Sequence, residues 1–179
     1  MTGFAIKMAG MLFIAASAVL TGNYIILGYK KRIRELEALK KAMVMFKNEI
    51  AYSASTLEEC FRNISVRCSD EQIAGLFDSA AQKLSDSASN RKSAKVIWED
   101  CIREESVNMH LNEEDITELA ALGAGLGYLD AKMQTEAIEL YLSISETALK
   151  NAVNEIGNKC KVTRALSMAC GALICILLI

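Results

Sequence analysis

The chain has 179 residues, of which 52% are apolar and 23% charged, and its formal net charge at pH 7 is −2. This length suits one domain with short additions, and the slightly acidic balance argues against a nucleic-acid partner, which favours a basic surface. All 22 acidic residues, and every Lys and Arg except Lys7, lie between Lys30 and Arg164. The chain therefore divides into an apolar beginning, a charged middle and an apolar end.

The apolar beginning, Met8–Leu27, carries no charge and has about the length of helix that crosses a bilayer. A secretory signal peptide is the alternative, because Ala16-Ser17-Ala18 resembles a cleavage site. The apolar run continues past that site, however, and then meets a basic cluster typical of a stop-transfer signal: Lys30, Lys31, Arg32 and Arg34. The sequence predicts an uncleaved anchor over residues 1–29, with its span at about 8–27.

The middle segment, residues 30–161, is predicted to be helical throughout. The chain contains no proline, good helix formers dominate, and the apolar residues recur with helical periodicity. The first helix is expected to continue the N-terminal span as far as Tyr52, with an apolar stripe formed by Leu36, Leu39, Met43, Phe46 and Ile50. Three further helix starts are indicated by N-cap patterns: Ser55 with Glu58, Ser69 with Gln72, and Asn112.

The second half of the middle segment is predicted as two more helices and a glycine-rich turn. Residues 85–93 are the most loop-like, and a helix with Trp98 on it follows through Val96–Ile102. Gly123, Gly125 and Gly127 favour the end of a helix and close packing between the last two helices. A last long helix begins near Ala131, and its apolar stripe continues to Ile156 and then into the tail.

The tail, Ala165–Ile179, is uncharged and predicts a second span within residues 162–179. A buried core helix is the alternative, but this segment lacks a polar face. Three basic residues precede it: Lys159, Lys161 and Arg164. Because both basic clusters flank the middle segment, that segment is expected in the cytosol and both termini on the other side. The predicted fold is all-α: a cytosolic bundle of about six helices between two transmembrane helices.

No catalytic, metal or cofactor site is predicted. His110, the single histidine, has no nucleophile and carboxylate grouped with it in the sequence and is interpreted as a partly exposed residue at a helix end. The six cysteines form no C-x-x-C pair, so they are interpreted as reduced, small apolar residues. Glu113-Glu114-Asp115 is interpreted as a solvated first turn, and "GAGLGY" at 123–128 lacks the spacing of a phosphate loop.

Several stretches, taken in order, resemble the stage III sporulation protein AB family of endospore-forming bacteria. They are "LTG" at 20–22, "RIRELEALKKAM" at 32–43, "NEIAYSASTLEEC" at 48–60, "ELAALGAGLGYLDAKMQ" at 118–134 and "KVTRALSMACG" before the apolar end. The family usually has a proline after the tyrosine, where this chain has Ser-Ala-Ser-Thr. The resemblance marks a structural or partner-contact motif: Glu49, Tyr52, Leu57, Leu122, Gly123, Gly127, Asp130 and Gln134.

The resemblance implies a non-enzymatic component of a channel-like complex that is required for endospore formation. Family members lie in the mother-cell membrane around the forespore, with the helical domain in the cytoplasm. The implied partners are other stage III proteins, including a secretion-type ATPase. The helical domain is similar to the cytoplasmic F domain of type II secretion platforms.

Two functions are therefore considered. In the first, the chain is an adaptor that holds a helical domain at the membrane and docks an ATPase or ring components, with self-association possible. In the second, it is a helical membrane sensor, but the short external segments leave no room for a ligand-binding domain. The basic residues 30–41 are expected to contact anionic lipid headgroups.

Overall fold

The computed structural model describes the backbone of residues 2–53, 55–87, 92–127 and 130–178, with the side chains of 2–9, 11–15, 87, 171–172 and 174–178 outside the description. Within these ranges the chain is all-α, with no β-strand. The helices are α1 (Thr2–Tyr52), α2 (Leu57–Arg67), α3 (Glu71–Ser87), α4 (Ala94–Glu105), α5 (Glu113–Ala121) and α6 (Ala131–Leu178). Two short 3-10 turns, Ser106–Asn108 and Leu122–Gly125, follow α4 and α5. The predicted fold class is thus confirmed for the helical bundle.

The chain forms two compact units, and the long helices α1 and α6 contribute to both. Unit 1 comprises residues 1–31 and 152–179, and unit 2 comprises residues 32–151. The predictions that α1 runs unbroken from the apolar beginning to Tyr52, and that the last helix begins near Ala131, are confirmed.

The core of unit 2 is built on the predicted stripe of α1. Leu36, Leu39, Met43 and Phe46 are buried, whereas Ile50 is only half-buried. Four aromatic rings from four helices then meet in one cluster, Phe46, Phe61, Phe77 and Trp98, with neighbouring ring centroids 5.1–5.7 Å apart. Aromatic contacts of this kind add to the stabilisation from the buried apolar area. The cluster fixes α1, α2, α3 and α4 against one another.

Within unit 2, α1 and α6 are antiparallel. Lys47 pairs with Glu139 at 2.5 Å and Lys40 with Glu146 at 3.2 Å, so residue numbers rise on one helix as they fall on the other. These pairs are exposed and each contributes little to stability. On α6, the buried residues are Ile138, Tyr141 and Ser145 among those that the structure describes.

Two of the three predicted helix starts are shifted by one residue. The capping box at α2 is formed by Thr56 and Glu59, not Ser55 and Glu58, which leaves Glu58 free to pair with Arg62. At α3, the Asp70 carboxylate, not Ser69, accepts hydrogen bonds from the backbone N–H groups of residues 72 and 73. A carboxylate is favoured there because it also interacts with the positive end of the helix dipole.

The other helix starts agree better with the sequence. Asn112 caps α5 as predicted, in a capping box with Asp115. Of the predicted loop at residues 85–93, the first residues belong to α3, residues 88–91 lie outside the described ranges, and Ser93 caps α4.

Unit 1 buries Gly22 and Ile26 and exposes many of its other large apolar side chains. Gly22 is buried, and a Cβ added there would lie 2.7 Å from the Ser167 hydroxyl oxygen. Exposed side chains include Val19, Leu20, Tyr24, Ile25, Leu27, Val162, Leu166, Met168 and Leu173. Close helix contact at a glycine with apolar side chains on the outside is the reverse of the arrangement in a water-soluble helix pair.

In the part of the chain that the structure describes, no helix is both long and apolar enough to cross a membrane. The predicted spans, Met8–Leu27 and Ala165–Ile179, both include side chains that lie outside this part of the chain.

Candidate functional site

In unit 2, two pairs of polar side chains connect α1 to the region around the start of α5. Arg32 and Glu35 lie on α1, His110 lies just before α5, and Asp115 lies in its first turn. In the first pair, Arg32 donates hydrogen bonds from Nε and Nη2 to the two carboxylate oxygens of Asp115, at 2.7 and 3.0 Å. The side chains are only 19% and 4% exposed. A two-pronged guanidinium–carboxylate contact at this depth is strong and directional.

In the second pair, Glu35 binds His110 twice. One Glu35 oxygen accepts a hydrogen bond from the His110 backbone N–H at 2.6 Å, and the other lies 2.9 Å from Nδ1 of the imidazole. This second contact is a hydrogen bond in the His110 tautomer that carries a proton on Nδ1. Glu35 is buried, so these two bonds satisfy a charge that would otherwise be costly to desolvate. We call Arg32, Glu35, His110 and Asp115 the polar clamp.

The polar clamp corrects one interpretation of the sequence. Asp115 does not belong to a solvated first turn, because it is buried, pairs with Arg32 and accepts a hydrogen bond from the Asn112 backbone N–H at 3.1 Å. Glu113 and Glu114 are exposed, as expected. The signal was available in the periodicity: Asp115 lies four residues before the buried Leu119 and therefore on the same helix face.

Glu35 was not predicted as a site residue. The periodicity again held a signal, because Glu35 lies four residues before Leu39 and hence on the buried stripe of α1. His110 is partly exposed, as interpreted, but it lies in the loop between a 3-10 turn and α5 and is held by a carboxylate 75 residues away. Both carboxylates of the clamp are occupied by bonds within the protein, which favours a structural role for them.

The glycine segment, which we define as residues 123–127, packs on α4. A Cβ added at Gly123 would lie 2.8 Å from Cδ1 of Trp98, and one at Gly127 would lie 3.3 Å from the Cβ of Ala94. Gly127 also has φ +80, a backbone conformation that other residues rarely adopt. The close packing predicted for these glycines is present, but they pack on α4. The prediction had placed this packing between the last two helices.

The other residues of the glycine-segment motif surround this turn. Leu122 is buried in the 3-10 turn. Asp130 caps α6, because its carboxylate accepts a hydrogen bond from the backbone N–H of Met133 at 2.8 Å. Gln134 is half-buried one turn further along α6. These positions therefore form the connection from α5 to α6.

Glu49, Tyr52 and Leu57 lie on a different connection, between α1 and α2. The carbonyl of Glu49 accepts the Ser53 N–H at 2.9 Å, and Leu57 is the first residue of α2. Tyr52 is 89% exposed, so its ring makes little contact with the core. An exposed tyrosine at a helix end is well suited to contact a partner, and that role stays a prediction.

The predicted membrane-flanking basic residues are exposed except Arg32. The exposed members are Lys30, Lys31, Arg34, Lys159, Lys161 and Arg164. In unit 1, the Lys159 ammonium lies 5.6 Å from the centroid of the Tyr29 ring, within the range of a cation–π contact. Arg32 is instead engaged by Asp115 in the polar clamp.

Three cysteine thiols and one tyrosine of unit 2 have pKa values raised by burial. Burial raises the pKa of the Cys101 thiol to about 11 and also raises the pKa of the Cys60 and Cys68 thiols. Burial, with a smaller effect of the Asp115 carboxylate, raises the pKa of Tyr141. In the described residues, no group of three or more His, Cys, Asp or Glu side chains is placed to hold a metal ion.

Comparison with known proteins assigns the chain to a family. The family model described as Stage III sporulation protein AB matches residues 7–179. A solved structure named Stage III sporulation protein AB (SpoIIIAB) is 23% identical, with a TM-score of 0.64 over 70% of this chain and 96% of that one, which establishes a common fold. No curated protein sequence matches. Since the family model spans nearly the whole sequence, the chain belongs to the stage III sporulation protein AB family and has a role in sporulation.

Proposed function

We propose that this chain is a non-enzymatic platform, anchored in the mother-cell membrane by two spans, that holds a helical domain in the cytoplasm. There it docks other proteins of the stage III sporulation complex, including the secretion-type ATPase that the family resemblance implies. Membership of the family supports the link to that complex.

The observation that carries the anchoring proposal is the exposure of large apolar side chains on both helices of unit 1, beside a close helix contact at Gly22. Leu20 on α1 is 68% exposed and Leu166 on α6 is 62% exposed, whereas Gly22 is buried and closely approaches Ser167. Outward-facing apolar side chains need a cover, and hydrocarbon provides one without a partner protein. Small residues between two helices are typical of helix pairs within a bilayer.

The docking proposal is supported by the way in which unit 2 uses its polar residues. The buried carboxylates of the clamp are engaged by Arg32 and His110, and the buried cysteines have raised pKa values. These groups are therefore engaged or buried within unit 2, and in this proposal unit 2 acts through the surface that it presents. Two anchors would fix how that surface faces its partners.

The test is removal of the second anchor. Deleting Ala165–Ile179 should leave the chain in the membrane, because the first span can hold the chain at the bilayer without the second. The truncated chain should recover less of the ATPase and ring proteins on co-purification, and spore yield should fall. The matched control replaces the same residues with an unrelated apolar span, which should restore both.

Normal assembly and normal spore yield in the truncated strain would show that the tail is dispensable and that the two-anchor proposal is wrong. Failure of the intact chain to co-purify with any stage III protein would contradict the platform function itself.

A further inference from the structure

A groove of about 600 Å³ lies on the surface of unit 2, beside the outward face of α1. Its lining comes from α1, from the last residue of α2 and the turn that follows it, and from one residue of α6: Glu37, Ala38, Lys40, Lys41, Val44, Met45, Arg67, Cys68, Ser69 and Leu149. The volume is within the range of clefts that bind ligands, roughly 300–1,000 Å³. Neither the polar clamp nor the glycine segment contributes to it.

The floor of the groove is apolar. We use the word floor for the four apolar residues of the lining: Ala38, Val44, Met45 and Leu149. Val44 is 42% exposed although the adjacent Met43 is fully buried. The lining includes no aromatic residue, and no strand edge occurs in the described ranges. Proline-rich segments are recognised by aromatic grooves and extended peptides by strand edges, so a helix that inserts its apolar face is the recognition mode that fits.

The charged residues of the lining, which we call its rim, are mainly basic. Lys40 is bound to Glu146 at 3.2 Å, and Glu37 is the single acidic residue in the lining. Lys41 and Arg67 are both exposed, and neither forms an ion pair with a carboxylate among the described residues. Their charges are therefore available to an acidic partner.

We infer that this groove docks an amphipathic helix of another protein, whose apolar side chains fill the floor and whose acidic residues meet Lys41 and Arg67. The lining on α1 runs from Glu37 to Met45, about 12 Å at 1.5 Å per residue, which accommodates roughly two turns of the docked helix. The inference rests on the proposed platform function, because it names the chemistry of the docked partner.

The experiment places a photo-crosslinking amino acid at position 44 of the full chain in sporulating cells. Val96 is the matched control, since it is a helical valine with 41% exposure that does not line the groove. Irradiation should give an adduct from position 44 and little from position 96. Mass spectrometry should place that adduct on an amphipathic helix of another protein, with Asp or Glu beside its apolar residues.

Charge reversal tests the rim. Lys41→Glu combined with Arg67→Glu should lower the yield of the adduct by about tenfold or more, because acidic residues would then face acidic residues. Lys132→Glu combined with Lys150→Glu is the control, since both lysines are exposed on α6 and outside the groove lining. An unchanged Trp98 emission spectrum would show that each variant is folded.

The inference is overturned by an adduct on a second copy of this chain, on lipid, or on a segment without acidic residues. It is equally overturned if position 44 gives no more adduct than position 96, or if charge reversal has no effect. Co-purification of the intact chain with stage III proteins, measured in the same cells, separates the two proposals. If partners are retained while the groove test fails, the platform function stands and its docking surface is elsewhere.

Discussion

The substitution Gly123→Ala would test how tightly the turn after α5 packs on Trp98. A Cβ at position 123 would lie 2.8 Å from Cδ1 of the indole and 3.6 Å from the carbonyl oxygen of Lys95. The indole cannot move aside easily, because its N–H donates a hydrogen bond to the Leu119 carbonyl at 2.9 Å and its ring contacts Phe61 and Phe77. The added methyl group must therefore displace either the turn or the aromatic cluster.

Forcing an extra carbon into a filled core typically costs about 1–3 kcal/mol. For a chain of this length each kcal/mol lowers Tm by about 2–4 °C, so we expect a decrease of roughly 2–12 °C. Gly75→Ala is the matched control in the same unit. Gly75 lies within α3, and an added Cβ would meet only a Glu105 carboxylate oxygen at 4.0 Å. Alanine is the better helix former by about 0.5–1 kcal/mol, so Tm should rise.

Both variants can be measured as full chains in detergent micelles. Circular dichroism reports the loss of helix, and fluorescence reports the surroundings of Trp98, which is the single tryptophan of the chain. A Gly123→Ala protein that melts at or above the wild-type temperature, with unchanged Trp98 emission, would refute the packing argument and leave partner contact as the better explanation of this glycine.

Three further outcomes are expected. Asp115→Ala should lower the free energy of unfolding in urea by about 3 kcal/mol, since it removes the carboxylate that binds the largely buried Arg32 guanidinium in two places. Glu114→Ala, at an exposed position, should change that free energy by less than about 0.5 kcal/mol, and equal effects of the two substitutions would contradict the clamp. Burial raises the pKa of Cys101 from 9.0 to about 11, so this thiol should resist an aromatic disulfide reagent at pH 8 until the chain unfolds, and rapid modification of the native chain would contradict this. The free energy of unfolding should also fall as pH rises from 9 towards 11, because in that range the unfolded chain releases the Cys101 proton and the folded chain retains it. A cysteine introduced at exposed Ser85, in a cysteine-free chain, should be labelled by an impermeant maleimide only after cells are permeabilised, and labelling of intact cells would contradict the proposed cytosolic location.

Features that depend on nearby residues could be predicted from the sequence. The stripe from Leu36 to Phe46 follows from helical periodicity, and the start of α5 at Asn112 follows from the chemistry of its cap. The two shifted caps show the limit of this reasoning. Adjacent Ser55 and Thr56 can both serve as N-caps, and only the packing of Cys60, Phe61 and Ile64 into the core decides between them.

The clamp and the groove could not be predicted, because they depend on contacts between distant parts of the chain. Arg32 and Asp115 are 83 residues apart, and periodicity alone indicates that each lies near a buried face, not that they meet. The groove lining likewise combines α1, the turn after α2 and Leu149. The anchoring spans and the contacts of the basic flanks stay predictions that the experiments above address.

The order of synthesis gives the polar clamp a further consequence. Arg32 and Glu35 leave the ribosome long before their partners, since translation at about 5–20 residues per second leaves an interval of roughly 4 to 17 s over the 83 residues from Arg32 to Asp115. During this interval the local contacts of α2, α3 and α4 can form, because they close shorter loops. We expect Arg32 and Glu35 to remain solvated during this interval, because their partners in the polar clamp have not yet been synthesised. The polar clamp is therefore expected to form late, after α2, α3 and α4 have packed.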